Sequence, residues 1–149
     1  MQKKKLFDEL FDYGCKLLKQ RDRSVFEIKE KLKTKTSSEQ IVDKVVQKLL
    51  DLGYLNEYRF VENYINKYLA KGKNLNLIFY ELKEKYKVDD ETINKLDIGE
   101  LKDKQIEIVV EIVKKKYNVN DKRKIYNFLY SKGFSEDEIE TVLNNLVKK

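Results

Sequence analysis

Three segments of the chain place the same residue types at the same spacing. Each has an isoleucine, a leucine four positions later and a lysine three positions after the leucine. Isoleucine and leucine four apart lie on one helix face, and the residue four before the isoleucine is of a type that caps helix N-termini. The signature residues are Ile28, Leu32 and Lys35; Ile78, Leu82 and Lys85; Ile125, Leu129 and Lys132; and the caps are Ser24, Asn74 and Asp121. The segments therefore predict three matched helices.

Apolar rows on either side of these segments predict two more helices in each repeat. Helices that precede the matched segments are predicted at residues 6–20, 56–70 and 103–117. A helix is predicted at residues 38–52, and the other helices that follow are predicted to begin at Asp89 or Asp90 and at Ser135, where Glu138 completes a capping box. Gly53 and Gly72 are predicted to end the helices before them.

The chain thus divides into three tandem repeats of three helices. Their approximate bounds are residues 1–53, 54–100 and 101–149. Proline is absent and no alternating apolar pattern competes with the helical spacings, so the predicted fold is all-α. One repeat alone cannot bury both of its apolar stripes, and we expect the repeats to stack into an elongated, curved array that is a monomer.

Several classes of protein are disfavoured by composition. Histidine is absent and Cys15 is the one cysteine, so no histidine-based catalytic arrangement, zinc spacing or internal disulfide is available. Asp89, Asp90 and Glu91 lie at a predicted helix start, where carboxylates favour capping over magnesium binding. We expect no enzyme activity, cofactor or metal. Without a signal peptide or an apolar run of ~20 residues, the expected location is cytoplasmic, with no membrane partner.

Charge alternates along the chain in step with the repeats. Residues 1–36, 67–88 and 101–133 have net charges of +5, +4 and +5, and the segments between and after them are acidic. Stacked repeats would align these basic segments into a stripe that suits a long anionic partner. The alternative is that the lysines only solvate the surface.

The turns before the first two matched helices supply four of the nine candidate binding residues. Arg21 and Arg23 precede the Ser24 cap, and Lys71 and Lys73 occupy the aligned positions. Cations beside the amides of a helix N-terminus can hold phosphate or carboxylate. The remaining candidates are Arg123, Lys124, Lys132, Tyr58 and Arg59. Tyr64 and Tyr68 continue an apolar row and are predicted to be core residues.

Four stretches of the sequence resemble the RecX family of recombination regulators. They are LLKQRDRSVFEIKEKL at 17–32, LLDLGYLNEYRFVENYI at 49–65, KGKNLNLIFYELKEK at 71–85 and KIYNFLYSKGFSEDEI at 124–139. The similarity keeps motif order over nearly the whole chain. Two departures are Asn74, where the family usually has glycine, and Lys85-Tyr86 in place of Lys-Gly.

The resemblance implies an all-helical array of three-helix repeats that binds the RecA nucleoprotein filament. It further implies that filament growth, ATP hydrolysis, strand exchange and co-protease activity of RecA are damped, in DNA repair and the SOS response. Single-stranded DNA would be contacted directly or through the filament. Two alternatives stay open, a free-standing module that binds single-stranded DNA and a helical scaffold that uses neither the stripe nor the turn cations.

Overall fold

The computed structural model describes residues 2–147, which fold into nine α-helices joined by turns. The helices are α1 Gln2–Gln20, α2 Val25–Lys33, α3 Glu39–Asp51, α4 Glu57–Ala70, α5 Leu75–Tyr86, α6 Asp90–Asn94, α7 Ile98–Lys116, α8 Lys122–Ser131 and α9 Glu136–Val147. They follow the order expected of three repeats, α1 to α3, α4 to α6 and α7 to α9. The all-α prediction is confirmed, and the curved, elongated stacking stays a prediction.

The isoleucine and leucine of each signature are buried. All six isoleucines and leucines of the signature have no exposed surface. Each signature lysine instead lies over an aromatic ring: Lys35 over Tyr13 at 5.0 Å, Lys85 over Tyr86 at 5.4 Å and Lys132 over Phe128 at 5.7 Å from the ring centroid. The repeat pattern therefore encodes a buried pair and a surface cation that lies on an aromatic side chain.

The predicted caps begin the matched helices. The Ser24 hydroxyl accepts the Glu27 N–H at 3.0 Å, and the Glu27 carboxylate accepts the Ser24 N–H at 3.1 Å. Asp121 accepts the Lys124 N–H at 3.3 Å. Asn74, which is 1% exposed, accepts the Asn76 N–H at 2.8 Å. The helix starts are thus fixed by side chains at the positions that the sequence predicted.

A second device holds the N-termini of α2 and α5, and the sequence did not reveal it. The Val25 N–H donates to Glu57 of α4 at 2.9 Å, and the Leu75 N–H donates to Gln105 of α7 at 2.5 Å. Each acceptor lies on the first helix of the next repeat, four residues before a buried valine. Burial raises the pKa of the Glu57 carboxyl, while its bond from Val25 acts in the opposite direction. Neighbouring repeats are therefore joined by a capping bond as well as by packing.

Left-handed residues end three of the helices at the predicted type of turn. Gly53, Gly72 and Gly133 have φ values of 75°, 85° and 94°. In each case the two amides after the last turn donate back to carbonyls of that turn, as in a Schellman motif. At the end of α5, Lys87 adopts a left-handed φ of 55° without being glycine. The departure from Lys-Gly in this repeat therefore produces a strained residue after α5.

The start of α7 differs from the sequence prediction. The helix begins at Ile98 behind Asp97, whose carboxylate accepts the Glu100 N–H at 3.1 Å, and not near residue 103. The prediction was wrong because the first turn of α7 contains Gly99 and charged residues, and so lacks a clear apolar row. The short helix α6 begins at the predicted Asp90, and Asp89 caps it by accepting the Thr92 N–H at 2.8 Å.

The described residues form two compact units. Unit 1 comprises the chain up to Asn63 together with Leu82–Ile93. Its main core lies among α1, α2 and α3 and includes Leu55 of the α3–α4 turn. The buried members are Leu10, Leu17, Ile28, Leu32, Val42, Val45, Val46, Leu49 and Leu55. This core explains the doubled apolar row of α3, which faces both other helices of its repeat.

Unit 2 comprises Tyr64–Glu81 and the chain from Asn94 onward. Its core lies among α7, α8 and α9. The buried members are Val109, Val110, Val113, Ile125, Leu129, Phe134, Ile139, Val142 and Leu146. Within residues 2–147, no helix is both long and apolar enough to cross a membrane.

Candidate functional site

The two arginines predicted at the first turn are bonded to the protein itself. Arg21 forms an ion pair of 2.6 Å with Glu27, the residue that completes the capping box of α2. This hydrogen bond raises the pKa of Arg21. Arg23 donates from Nε to the Leu17 carbonyl at 3.2 Å and from Nη2 to Gln20 at 3.0 Å, which closes the end of α1. Both arginines therefore stabilise the turn that they were predicted to use for binding.

The first amide of two matched helices is also occupied. The first amides of α2 and α5 donate to Glu57 and Gln105. These two amides are therefore not available to an external anion. The prediction that the turn cations hold an anion is untested by this geometry and stays a prediction.

Arg59 and Tyr58 lie on the first turn of α4 in unit 1. Arg59 donates to Asp22 at 2.9 Å and to the Tyr54 carbonyl at 3.1 Å, so it ties the end of α3 to the α1–α2 turn. Asp22 also accepts a bond of 2.6 Å from Asn63. Tyr58 is half-buried. Arg59 therefore has a structural role in unit 1.

In unit 2, lysines gather over the aromatic side chains at the end of α4. The Nζ atoms of Lys67, Lys71 and Lys73 lie 5.5, 5.3 and 4.5 Å from the centroid of the Tyr68 ring. Tyr68 packs on Tyr64 at 4.6 Å between centroids, and both rings are half-buried. Both tyrosines were predicted to be core residues; each is only half-buried, and the ring of Tyr68 lies under three cations.

Lysines also lie over an aromatic side chain on α7 and α8, next to the α4–α5 turn. Lys116 lies 4.6 Å and Lys132 5.7 Å from the centroid of the Phe128 ring, which packs on Tyr117 at 5.6 Å. A Cβ atom placed on Gly72 would lie 3.8 Å from Phe128, so the α4–α5 turn is adjacent to this second cluster.

We call the two clusters together the lysine–aromatic surface. Its residues are Lys67, Tyr68, Lys71, Lys73, Lys116, Tyr117, Phe128 and Lys132. Aromatic faces with cations around them suit a partner that is both anionic and aromatic, as nucleic acid is.

The charge on this surface is largely unneutralised. Lys73 pairs with Glu81 through contacts of 2.8 and 2.9 Å, and Glu81 also accepts a bond from Tyr64 at 3.2 Å. The other four lysines form no ion pair with any residue of the described chain. They are available to an external anion.

Arg123 and Lys124 lie at the opposite end of α8 from Lys132. Lys124 is 3.6 Å from Asp121 and 71% exposed, and Arg123 is exposed without an ion pair among residues 2–147. The structure therefore gathers Lys71, Lys73 and Lys132 of the predicted residues, and leaves these two outside the lysine–aromatic surface. Sequence analysis missed Lys67 and Lys116, although each lies next to an aromatic residue in the sequence.

The comparisons with known proteins agree with this fold. A family model described as the first three-helix domain of RecX matches residues 11–49. A curated relative from Haemophilus influenzae strain PittEE, named regulatory protein RecX, is 29% identical over 140 residues, covering 89% of this chain and 91% of the relative. Another of that name, from Clostridium tetani, is 32% identical over 133 residues, covering 81% of this chain and 59% of the relative.

A solved structure shares the whole architecture. The crystal structure of RecX from Lactobacillus salivarius superimposes with a TM-score of 0.77 at 24% identity, and the match covers 95% of this chain and 97% of that one. At this identity the likeness shows the fold. The family model and the curated relatives indicate common ancestry, because they match this chain in amino-acid sequence.

Proposed function

Because the chain belongs to the RecX family, we propose that it regulates RecA by binding the RecA nucleoprotein filament and limiting its extension. The relatives are named as regulatory proteins, which agrees with the prediction that the chain is not an enzyme. Filament binding would lower the ATPase, strand-exchange and co-protease activities of RecA. The observation that carries the proposal is sequence similarity to proteins named regulatory protein RecX over 89% of the chain.

The lysine–aromatic surface supports a contact with the DNA of such a filament. Four of its lysines have no ion pair among the described residues, and its rings are half-buried with a face toward these cations. Lysines that neutralise phosphates release counterions, and aromatic rings can stack on unpaired bases. We therefore propose single-stranded DNA, bound directly or within the filament, as the ligand of this surface.

The function is tested by titrating the protein into RecA that hydrolyses ATP on single-stranded DNA. We expect the ATPase rate to fall as the filament shortens. A rate that stays constant at saturating protein would refute the proposed regulation. Binding to a labelled oligonucleotide without RecA tests the alternative of a free-standing DNA-binding module. A helical scaffold would bind neither the oligonucleotide nor RecA.

The role of the lysine–aromatic surface is tested by neutralising its unpaired lysines. The variant replaces with glutamine Lys67, Lys71, Lys116 and Lys132. The control removes the same charge from exposed positions elsewhere in unit 2, at Lys95, Lys102, Lys114 and Lys122. We expect the salt dependence of oligonucleotide binding to fall by roughly 3 in slope for the variant, at roughly 0.7 per phosphate contact on single strands. Equal losses in variant and control would show bulk electrostatics and no defined site.

A further inference from the structure

An open groove of unit 1 has a lining unlike that of the lysine–aromatic surface. The groove has a volume of about 620 Å³ and lies along α2 and the C-terminal end of α5. Phe26 and Tyr86 supply half-buried aromatic surface, and Arg21, Lys31 and Lys85 supply cations. Apolar surface beside a few charged groups is the composition of a site for a protein segment.

Most of the charges in the groove are already balanced. Arg21 pairs with Glu27 at 2.6 Å, and Glu30, which also lines the groove, lies 3.5 Å from Lys33. The two lysines that line the groove, Lys31 and Lys85, are exposed and form no ion pair with the described residues. The groove therefore offers two available cations beside two aromatic side chains.

The carboxylates of the groove distinguish its partner from nucleic acid. A nucleic-acid strand would bring a row of phosphates past Glu27 and Glu30, whereas a protein segment need bring only one carboxylate to Lys31 and Lys85, so like-charge repulsion disfavours the strand. On the lysine–aromatic surface, in contrast, Lys73 is the one lysine of five that pairs with an acid of residues 2–147, Glu81. The two surfaces thus have the charge patterns of two different kinds of partner.

We propose that the groove binds a protein segment that carries an apolar side chain beside a single carboxylate. The apolar side chain packs on Phe26 and Tyr86, and an adjacent carboxylate of the segment pairs with Lys31 and Lys85. The inference rests on the proposed function, which makes RecA the protein that supplies this segment. Unit 1 then contacts the protein of the filament, and unit 2 contacts its DNA.

The test measures binding of the full chain to RecA without DNA and, separately, to a labelled oligonucleotide. The groove variant is Lys31→Glu with Lys85→Glu. The control, Lys16→Glu with Lys44→Glu, makes the same charge change at exposed lysines of unit 1 outside the groove. A second variant, Lys31→Gln with Lys85→Gln, avoids new acidic residues, and circular dichroism checks that each chain is helical.

We expect the glutamate variant to bind RecA about tenfold more weakly than wild type does, because it reverses two charges at a complementary surface. The glutamine variant should lose less, and the control and the oligonucleotide affinity should be unchanged. RecA binding equal to wild type in the groove variant, or a parallel loss of oligonucleotide binding, overturns the groove proposal. Wild-type protein that binds RecA without lowering its ATPase overturns the proposed function alone. Wild-type protein that lowers the ATPase without binding DNA-free RecA overturns the groove proposal alone.

Discussion

Gln105 offers a direct test of the bond that joins one repeat to the next. Its side chain is 4% exposed and accepts the N–H of Leu75, a residue that is 2% exposed. Truncation in Gln105→Ala would remove this acceptor, and the Leu75 N–H would have no protein partner at the edge of a cavity that both residues line. Asn74, beside it, is held separately, by donating its N–H to the Lys132 carbonyl at 2.9 Å and its side-chain amide to Glu138 at 3.0 Å.

The expected loss follows from three contributions to the free energy of unfolding. A buried donor without a partner costs about 1–3 kcal/mol. Loss of one buried methylene costs about 0.8 kcal/mol. Release of the glutamine rotamers returns about 1.5 kcal/mol. The net destabilisation is therefore about 0.3–2.3 kcal/mol, which in a chain of this size lowers Tm by about 1–9 °C.

Urea unfolding and amide hydrogen exchange measure this prediction together. Gln105→Leu restores volume without an acceptor, so it should also be destabilised, and the Leu75 amide should exchange faster in both variants. Gln40→Ala, at an exposed position of α3, is the control and should leave both measurements unchanged. If Gln105→Leu is as stable as wild type and its Leu75 amide stays protected, the hydrogen bond contributes nothing.

Two other predictions concern single residues. A raised pKa means that folded Glu57 holds its proton more tightly than the unfolded chain does, so the wild-type free energy of unfolding falls as pH rises above the ordinary glutamate value of 4.5. Glu57→Gln keeps an acceptor for Val25 but does not titrate, so its stability relative to wild type should increase over that range in urea unfolding; a constant difference would contradict this. Lys87→Gly should raise the free energy of unfolding by about 0.5–1 kcal/mol. Glycine adopts the left-handed φ without strain, and this gain exceeds the cost of the extra chain entropy that glycine gives the unfolded state. An unchanged urea midpoint would show that Lys87 is not strained.

The elements that depend on neighbouring residues could be predicted from the sequence. Apolar rows spaced by four, a cap before them and a glycine after them are local features, and they located α2, α3 and α9 closely. Where a local signal was weak, prediction failed, as at the start of α7 behind Asp97. The bonds of Glu57 and Gln105 could not be predicted, since the residues they join are about 30 apart in sequence.

The candidate site was harder to predict because charge alone does not say where a cation is bonded. The sequence predicts Arg21 and Arg23 as cations of a binding turn and Arg59 as a further candidate, and all three bond to groups of the protein itself. Lys67 and Lys116 were not chosen, because nothing in the sequence shows that α4 and α7 place them over aromatic rings. The ring contacts of Lys71 and Lys73 depend on the end of α4 and the Gly72 turn.

The residue three after each cap accounts for the different use of equivalent turns. In the first repeat this residue is Glu27, which completes the capping box and also pairs with Arg21. The equivalent residue is Leu77 in the second repeat and Lys124 in the third, so neither supplies a carboxylate at that place. Lys71, at the position aligned with Arg21, consequently has no local acid and lies over Tyr68. The difference at this capping position thus leaves Lys71 without the ion pair that Arg21 has, although Lys73 of the same turn pairs with Glu81.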